Sequence, residues 1–202
     1  MKTLADIKKI AVLGAGTMGP GIAQTYAMGG YQVTMWTRSE KTRDKAIAAL
    51  HSQLETFAEE GEIAAEQFLK QPGADKNGDG VCQYVVLEGE AGHQDAIVRT
   101  EYSVNTIVSG GIEVEKLGYA IANWNRAQAQ TQMTQLISQN GTKIELVLAN
   151  NDDMALGAID ALKASELSRD EWPIVVGIDG TDVGLEAVKN GEMAGAGYND
   201  KE

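Results

Sequence analysis

The sequence predicts an α/β fold in which parallel sheets are covered by helices on both faces, built from two modules of different origin. Short, continuously apolar segments alternate with helical segments along most of the chain, which is typical of buried parallel strands. The charge is uneven: residues 1–72 hold eight Lys/Arg and eight Asp/Glu, whereas residues 73–202 hold nine and twenty-one, and so carry the net charge of −12. Such an asymmetry indicates a junction between two segments.

The composition of the 202-residue chain argues against several classes of protein. No run of eighteen apolar residues is present, so no membrane span is expected. The net negative charge argues against binding to nucleic acid, because the phosphates would be repelled. A single cysteine, Cys82, excludes an internal disulfide. The first ten residues lack the apolar core of a secretory signal, so the sequence as encoded predicts a cytoplasmic protein.

The first module, residues 1–70, begins with a strand, a glycine-rich turn, a helix and a second strand. An apolar strand over Lys9–Leu13 leads into GAGTMG, a helical pattern follows, and Val33–Trp36 predicts the second strand. This is the context in which Gly-x-Gly-x-x-Gly indicates a Rossmann-like, dinucleotide-binding βαβ unit. Gly14 permits the tight turn, Gly16 lets a pyrophosphate approach the backbone, and Gly19 lets the helix pack on the strand.

The residues after the second strand indicate which dinucleotide would bind. The acidic residue that holds the ribose hydroxyl of NAD is absent: Thr37 occupies its place, and Arg38 suits the 2′-phosphate of NADP better. We therefore expect NADP rather than NAD if a cofactor binds, with Thr37 and Arg38 as candidate contacts. The alternative is a βαβ unit whose glycines serve only packing, since the second mononucleotide-binding half has to come from elsewhere.

The segment IAVLGAGTMGPGIAQTYAMGGYQVTMW, followed by a predicted long helix over Lys41–Glu59, resembles the start of the 3-hydroxyacyl-CoA dehydrogenases. The resemblance covers about the first third of the chain and implies an NAD(P)-binding oxidoreductase fragment. The family's catalytic His–Glu pair and Asn lie beyond this segment, and the chain does not continue with their motifs. His51 is expected on the helix surface, and no general base for hydride transfer is visible. No catalysis is therefore expected.

The segment Pro72–Gln83 at the start of the second module is a candidate calcium loop. Asp75, Asn77 and Asp79 stand at alternate positions among glycines, as in a loop that wraps Ca²⁺ with hard oxygen donors. The twelfth loop position, where a bidentate Glu normally closes the cage, is Val86. The alternative is that DKNGDG forms only a polar turn, because Asn-Gly and Asp-Gly favour tight reversals.

The rest of the second module, residues 74–202, predicts a parallel sheet covered on both faces. Strands are predicted over residues 81–87, 114–120, 144–149 and 174–178, with a last short strand before Asn199, and helices over residues 95–108, 126–138, 152–164 and 183–189. In such sheets the binding residues lie at the carboxyl ends of the strands.

Polar side chains follow each of these strands. They comprise carboxylates, amides, a guanidinium and one large aromatic ring: His93, Asp95, Arg99, Trp124, Asn125, Asn150, Asn151, Asp152, Asp179 and Asn199. The set suits a sugar, because amides and carboxylates hold hydroxyls, Arg99 can fork onto two of them, and an indole packs on the C–H face. It is short of nucleophiles, although the carboxylates of Asp95 and Asp179 have the chemistry for acid–base work.

Each of these residues also has a structural alternative. Asn151 and Asp152 can cap the helix that follows them, and Asp179 can shape the turn with Gly180. His93 and Asp95 can cap their helix, and Trp124 can belong to the core. The signal for binding is that all of them are expected at one edge of the sheet.

The segments DKNGDGVCQYVVLEGEAGHQDAIVRTEY, KIELVLANNDDMALGAIDALK, VVGIDG and GYNDKE resemble the galactose/glucose-binding proteins of sugar ABC transporters and chemotaxis. The resemblance spans about residues 74–202 and implies one lobe of a periplasmic-binding-protein fold, with an ABC permease or chemoreceptor as the family's partner. It implies a Ca²⁺ site in which a distant Glu supplies the missing ligand: Asp75, Asn77, Asp79, the Val81 carbonyl, Gln83 and Glu145. It also implies hexose contacts from His93, Asp95, Arg99, Trp124, Asn151, Asp179 and Asn199.

That family clamps its sugar between two lobes, and the first lobe has no match here. The family is also extracytoplasmic. We therefore interpret the chain as a mosaic, joined near Phe68–Ala74, of an incomplete dinucleotide-binding fragment and a calcium-binding sugar lobe. Half a cleft predicts weak hexose binding at best. The alternatives are an NAD(P)-binding oxidoreductase fragment and a folded chimera with neither activity.

Overall fold

The computed structural model describes residues 7–16, 18–28 and 30–198 and contains two compact units. The first unit ends at Thr56 and also includes Gly92–Gln94, and the second comprises Phe57–Ala91 and the chain from Asp95 onwards. Within the described residues the strands form two separate sheets, one in each unit. None of the helices in this part of the chain is both long and apolar enough to cross a membrane.

The first unit contains the βαβ arrangement that the sequence predicts. Its elements are β1 (Lys9–Leu13), α1 (Gly19–Met28), β2 (Gln32–Trp36) and the first part of α2 (Glu40–Leu69). β1 pairs in parallel with β2, with Lys9 opposite Gln32 and Leu13 opposite Trp36. The two strands are therefore joined through a helix, as a parallel pair requires.

The second unit is a five-stranded parallel sheet in the order β4-β3-β5-β6-β7. Strands and helices alternate along the chain, which confirms the predicted α/β class. The elements are β3 (Val81–Glu88), α3 (Gln94–Ser109), β4 (Glu113–Ile121), α4 (Arg126–Asn140), β5 (Leu146–Ala149), α5 (Asp152–Ala164), β6 (Ile174–Ile178), α6 (Asp182–Lys189) and β7 (Gly195–Gly197).

The interior strand β3, between β4 and β5, is buried on both faces. Cys82, Tyr84 and Val86 contribute to one apolar cluster, whereas Val85 and Leu87 contribute to another. Successive side chains of a strand point to opposite faces, so the two clusters are the two layers that helices cover. The continuous apolar sequence of this strand thus predicts its position correctly.

Helix α2 continues ten residues beyond the predicted end at Glu59, through Gly61 to Leu69. Glycine normally weakens a helix interior, but here α2 packs very closely on α3: a Cβ on Gly61 would lie 2.6 Å from the carbonyl oxygen of Arg99. Ser103 also donates a hydrogen bond to the Gly61 carbonyl at 3.0 Å. Tertiary packing therefore overrides the local propensity.

The last part of α2 belongs to the second unit, so the division between the two compact units falls within this helix, after Thr56. Ala65 and Phe68 are fully buried in the cluster that also contains Tyr84 and Val86 of β3. Burial of this apolar face gives the helix end its place in the second unit.

Candidate functional site

Arg99 lies at the centre of a polar cluster at the carboxyl edge of the five-stranded sheet. It is on α3, and only 8% of the residue is exposed. Its Nη1 donates to the backbone carbonyl of Asn150, which follows β5, at 2.8 Å. Its Nη2 lies 3.2 Å from Oδ1 of Asp179, which follows β6. The guanidinium thus connects the ends of two neighbouring strands, where the sequence predicts the site.

Glu60 is a partner of Arg99 that the sequence analysis missed. Its Oε2 accepts a hydrogen bond from Nε of Arg99 at 2.9 Å and lies 2.8 Å from Nη2. All three guanidinium nitrogens therefore have protein partners. The sequence predicts that the Arg99 guanidinium donates to two sugar hydroxyls, whereas in the structure two of its nitrogens contact the Glu60 carboxylate.

Trp124 stands beside Arg99, with the guanidinium carbon 5.8 Å from the centroid of its ring. Trp124 and Asn123 both have positive φ, 59° and 51°, which is uncommon for residues other than glycine. The ring packs directly on Gly89 after β3, where a Cβ would overlap the indole. A strained backbone at a bulky residue persists only where surrounding contacts stabilise it. We infer that these contacts fix the orientation of the Trp124 side chain.

Asp179 occupies a strained turn after β6. Its φ is 117°, and its N–H donates to the Gly197 carbonyl at 2.9 Å. Burial raises the pKa of Asp179 to about 6, against the opposing effect of Arg99, while Asp152 and Glu60 add to the increase. A carboxyl group at the carboxyl edge of a sheet with a shifted pKa is typical of a functional site, although ion-pair networks also produce such shifts.

Asn151 has the capping role that the sequence left open, whereas Asp152 contacts Thr181 at the start of α6. Asn151 Oδ1 accepts the Met154 N–H at 2.9 Å and caps α5. Asp152 is fully buried, and its Oδ2 accepts from the N–H and the hydroxyl of Thr181 at 2.7 and 2.9 Å. Its Oδ1 has no hydrogen-bond partner among the described residues, and burial raises its pKa.

Asp95, His93 and Asn199 are the remaining predicted sugar contacts. Asp95 lies half-buried in the first turn of α3, within the second unit. His93 is exposed in the segment Gly92–Gln94, which groups with the first unit. Asn199 lies outside the described residues. Among the predicted contacts, Arg99 lies beside both Asp179 and Trp124.

Asn150 and Glu88 are further polar residues near the edge of the sheet that the structure buries. Asn150 Oδ1 accepts the Gly89 N–H at 3.2 Å, and its Nδ2 donates to the Thr100 hydroxyl at 2.8 Å. Burial raises the pKa of Glu88. The sequence analysis included Asn150 among the polar residues after β5. It gave no signal that Asn150 is buried and hydrogen-bonded to Gly89 and Thr100, whereas Asn151 caps α5.

The candidate calcium loop folds around the carboxylate of Asp75. That carboxylate accepts the backbone N–H groups of Gly78, Asp79 and Gly80 at 2.7, 3.1 and 2.8 Å. Gly78 and Gly80 have φ of 76° and 89°, which favour glycine. The glycines therefore allow the tight course of the loop.

Side chains of the loop are also connected to one another. Gln83 donates to Oδ2 of Asp79 at 2.8 Å and accepts from Nδ2 of Asn77 at 2.9 Å. Val81 begins β3, and its N–H donates to Oδ1 of Asp79 at 2.9 Å. Hydrogen bonds from Val81 and Gln83 hold the pKa of Asp79 below its usual value.

Glu145, immediately before β5, meets this loop from 62 residues away in sequence. Only 1% of the residue is exposed. Its Oε1 accepts the N–H groups of Lys76 and Asn77 at 2.5 and 3.1 Å, and its Oε2 accepts the Gln83 N–H at 3.0 Å. The proposed closing carboxylate is therefore buried against the loop that it would close.

The chemistry of these residues fits calcium, because every candidate ligand atom is an oxygen. In this conformation the carboxylate oxygens accept backbone N–H groups, and no three acidic, His or Cys side chains of the described residues are grouped so as to hold a metal. Binding of an ion would require the side chains of Asp75, Asp79 and Glu145 to turn from these N–H groups towards it.

In the first unit, the three glycines of the fingerprint differ in their surroundings. Gly14 has φ of 119°, and its N–H donates to the Trp36 carbonyl at 2.9 Å. A Cβ on Gly19 would overlap the Gly14 carbonyl. Gly16 has open space around its Cα, so a ligand could approach the backbone there. A cavity of about 210 Å³ lies after β2 and is lined by Thr37, Arg38, Ser39, Glu40 and Arg43.

Comparison with family models divides the chain into two overlapping parts. Residues 49–202 match the model of the periplasmic binding protein domain, and residues 9–75 match that of the 3-hydroxyacyl-CoA dehydrogenase NAD-binding domain. The overlap covers most of α2, the helix that the structure shares between its two units.

Individual relatives follow the same division. The chain is 38% identical over 142 residues to the D-galactose/methyl-galactoside binding periplasmic protein of Haemophilus influenzae, covering 70% of this chain and 42% of the relative. It is 35% identical over 63 residues to the 3-hydroxyadipyl-CoA dehydrogenase of Escherichia coli, covering 31% of this chain and 13% of that protein. The chain thus spans less than half the length of each relative.

A similar solved structure is the ABC transporter solute binding protein of Bacillus halodurans with bound myo-inositol. The TM-score is 0.58 at 29% identity, and the match covers 88% of this chain and 57% of that one.

Proposed function

Because this chain belongs to the periplasmic binding protein domain family, we propose that its second unit binds a small neutral sugar at the carboxyl edge of its sheet. The observation that carries the proposal is the convergence of Arg99, Asp179 and Trp124 there. A carboxylate and a guanidinium can hold hydroxyl groups, and a held indole offers a flat apolar surface for the C–H face of a pyranose.

Galactose or glucose is the hexose we propose, from the sequence resemblance and from the name of the Haemophilus influenzae relative. That relative is matched over less than half of its length, so the proposal concerns only this edge of the sheet. A sugar held from one side keeps much of its surface in water, and we expect weak affinity. Interaction with an ABC permease or a chemoreceptor is part of the same proposal.

We propose Ca²⁺ as the metal of the second unit, held by Asp75, Asn77, Asp79, the Val81 carbonyl, Gln83 and Glu145. The support is that all of these residues supply oxygen donors and that Glu145 is buried against the loop. Bound calcium would neutralise the buried carboxylate and fix the entry into β3, so its role would be structural.

Thermal unfolding of the full chain with separate ligands tests these proposals, because a ligand that binds only the folded state raises the midpoint. The samples contain EDTA, Ca²⁺, galactose, glucose, NADH or NADPH. A rise with Ca²⁺ and a small rise with one hexose are expected. A rise with Ca²⁺ alone would contradict the sugar proposal, and no rise with Ca²⁺ would contradict the metal proposal.

A second candidate function is dinucleotide binding by the first unit, without catalysis. The supporting observation is the tight turn at Gly14 together with the cavity beside Arg38. Arg38 would favour the 2′-phosphate of NADPH. A rise in the midpoint with NADPH but not NADH is expected for this candidate, and no rise with either would contradict it.

A further inference from the structure

We propose that Glu60 is a positioning residue of the sugar site: it fixes the guanidinium of Arg99, so that Asp179 is the group that exchanges its partner for a ligand hydroxyl. This inference rests on the proposed sugar-binding function. Glu60 lies in the part of α2 that precedes the calcium loop, outside every set of binding residues that the sequence resemblance implies.

The contacts distinguish the two carboxylates that share Arg99. Glu60 contacts both Nε and Nη2, at 2.9 and 2.8 Å, whereas Asp179 contacts only Nη2, at 3.2 Å. The side chain of Glu60 is 14% exposed and that of Asp179 is 36% exposed. Contacts to two donors in a buried setting are stronger than one longer contact near solvent. A ligand therefore displaces the Asp179 contact more easily than the Glu60 contact.

Packing of α2 holds Glu60 in this position. Gly61 allows the helix backbone to approach Arg99, and Gly197 of β7 lies so close to the Glu60 carbonyl that a Cβ there would overlap it. Two glycines, Gly61 and Gly197, thus let the backbone at Glu60 lie close to both α3 and β7. Because the backbones of α2 and α3 lie close together, few rotamers are open to the side chains of Glu60 and Arg99.

The charges around Asp179 support the same division of roles. Asp179 faces Arg99, which favours its ionised form, and Asp152 and Glu60, which oppose it. Its pKa of about 6 means that it becomes protonated in mildly acidic solution. Arg99 then keeps Glu60 and loses an ionised partner at Asp179. The excess of carboxylates over the single guanidinium also favours neutral sugars over sugar acids at this site.

Nuclear magnetic resonance of the full chain tests the proposal without any ligand. Carbon-13 labelling of aspartate gives the pKa of Asp179, assigned with Asp179→Asn. We expect Glu60→Gln to lower this pKa by about one pH unit, because a nearby negative charge is removed and Arg99 is freed to pair with Asp179. The matched control is Glu66→Gln, an exposed glutamate of the same helix, which leaves the pKa at about 6. An unchanged pKa in Glu60→Gln would overturn the proposal.

The wild-type chain provides a second measurement in case Glu60→Gln fails to fold. The Arg99 Nε–H resonance, assigned with Arg99→Lys, is expected to persist from pH 8 down through the titration of Asp179, because Glu60 holds Nε. Loss of the resonance in step with protonation of Asp179 would show that Asp179 is the holding group. Absence of hexose binding, with both of these results as expected, would refute the proposed function and leave the role of Glu60 intact.

Discussion

Replacement of Glu145 tests the calcium site at the residue on which its assignment depends. Without calcium, Glu145→Ala removes the acceptor of three backbone N–H groups, of which that of Gln83 is buried. A buried unsatisfied donor costs about 1–3 kcal/mol. For a chain of this length, 1 kcal/mol corresponds to roughly 2–4 °C, so we expect the EDTA midpoint to fall by roughly 2–12 °C.

With calcium at one hundred times its dissociation constant, the wild-type chain should gain about 2.7 kcal/mol, or roughly 5–11 °C. Glu145→Ala should lose this gain. Glu145→Gln retains a side-chain oxygen and the shape of the site, so its midpoint in EDTA should stay nearer to wild type while its calcium response is weakened.

Differential scanning fluorimetry across a calcium titration measures both effects, with Glu186→Gln, an exposed glutamate of α6, as the matched control. The control should behave as wild type in EDTA and in calcium. A full calcium response in Glu145→Ala would refute Glu145 as the closing ligand, and an EDTA midpoint unchanged from wild type would refute the stabilising role of its hydrogen bonds.

Four further changes test the rest of the structure. Trp124→Ala should remove any hexose response in a melting experiment, whereas Trp172→Phe, far along the chain in the segment before β6, should keep it; a response retained in Trp124→Ala would place the sugar elsewhere. Arg38→Ala should remove an NADPH response, and a response equal to wild type would exclude the predicted phosphate contact. Because the pKa of Asp179 is raised to about 6, its ionisation disfavours the folded state, and the stability of the wild-type chain falls from this source as the pH rises from about 4 to 6. In Asp179→Asn this fall should be smaller when unfolding midpoints are compared across that range. Gly61→Ala should lower the midpoint in chemical or thermal unfolding because a Cβ would meet the Arg99 carbonyl, and a midpoint equal to or above wild type, as helix propensity alone predicts, would refute the close packing.

The strands and helices were predictable because their signals are local. Largely apolar segments such as Val81–Leu87 and Ile174–Ile178 lie between clear turn residues, and the structure confirms both as buried strands. The helix Asp152–Ala164 was predicted with its observed bounds, since Asn151 provides a cap and the next residues have helical periodicity. The location of Arg99 and Asp179 at one edge of the sheet was predictable because the carboxyl ends of parallel strands lie at the same edge.

The contacts of Glu60 were not predictable in the same way. Glu60 stands next to Gly61, just beyond the predicted end of the helix at Glu59. Its importance depends on α3 lying close enough for Arg99 to reach it, which is a tertiary relation between residues 39 positions apart. The hydrogen bonds of Glu145 to its loop depend on an equally distant pairing, and the sequence placed that residue only through a family resemblance.

The buried carboxylate of Asp152 links the start of α5 to the start of α6 through Thr181. Asn151 lies one residue before this carboxylate, and Asp179 lies two residues before Thr181, so the turns after β5 and β6 are held by the same buried hydrogen bonds. Gly177 and Gly184 leave room for this carboxylate, because a Cβ on either would collide with the Asp152 side chain. An arriving molecule would therefore meet turns that already have their final shape, and little backbone freedom would be lost there when it docks.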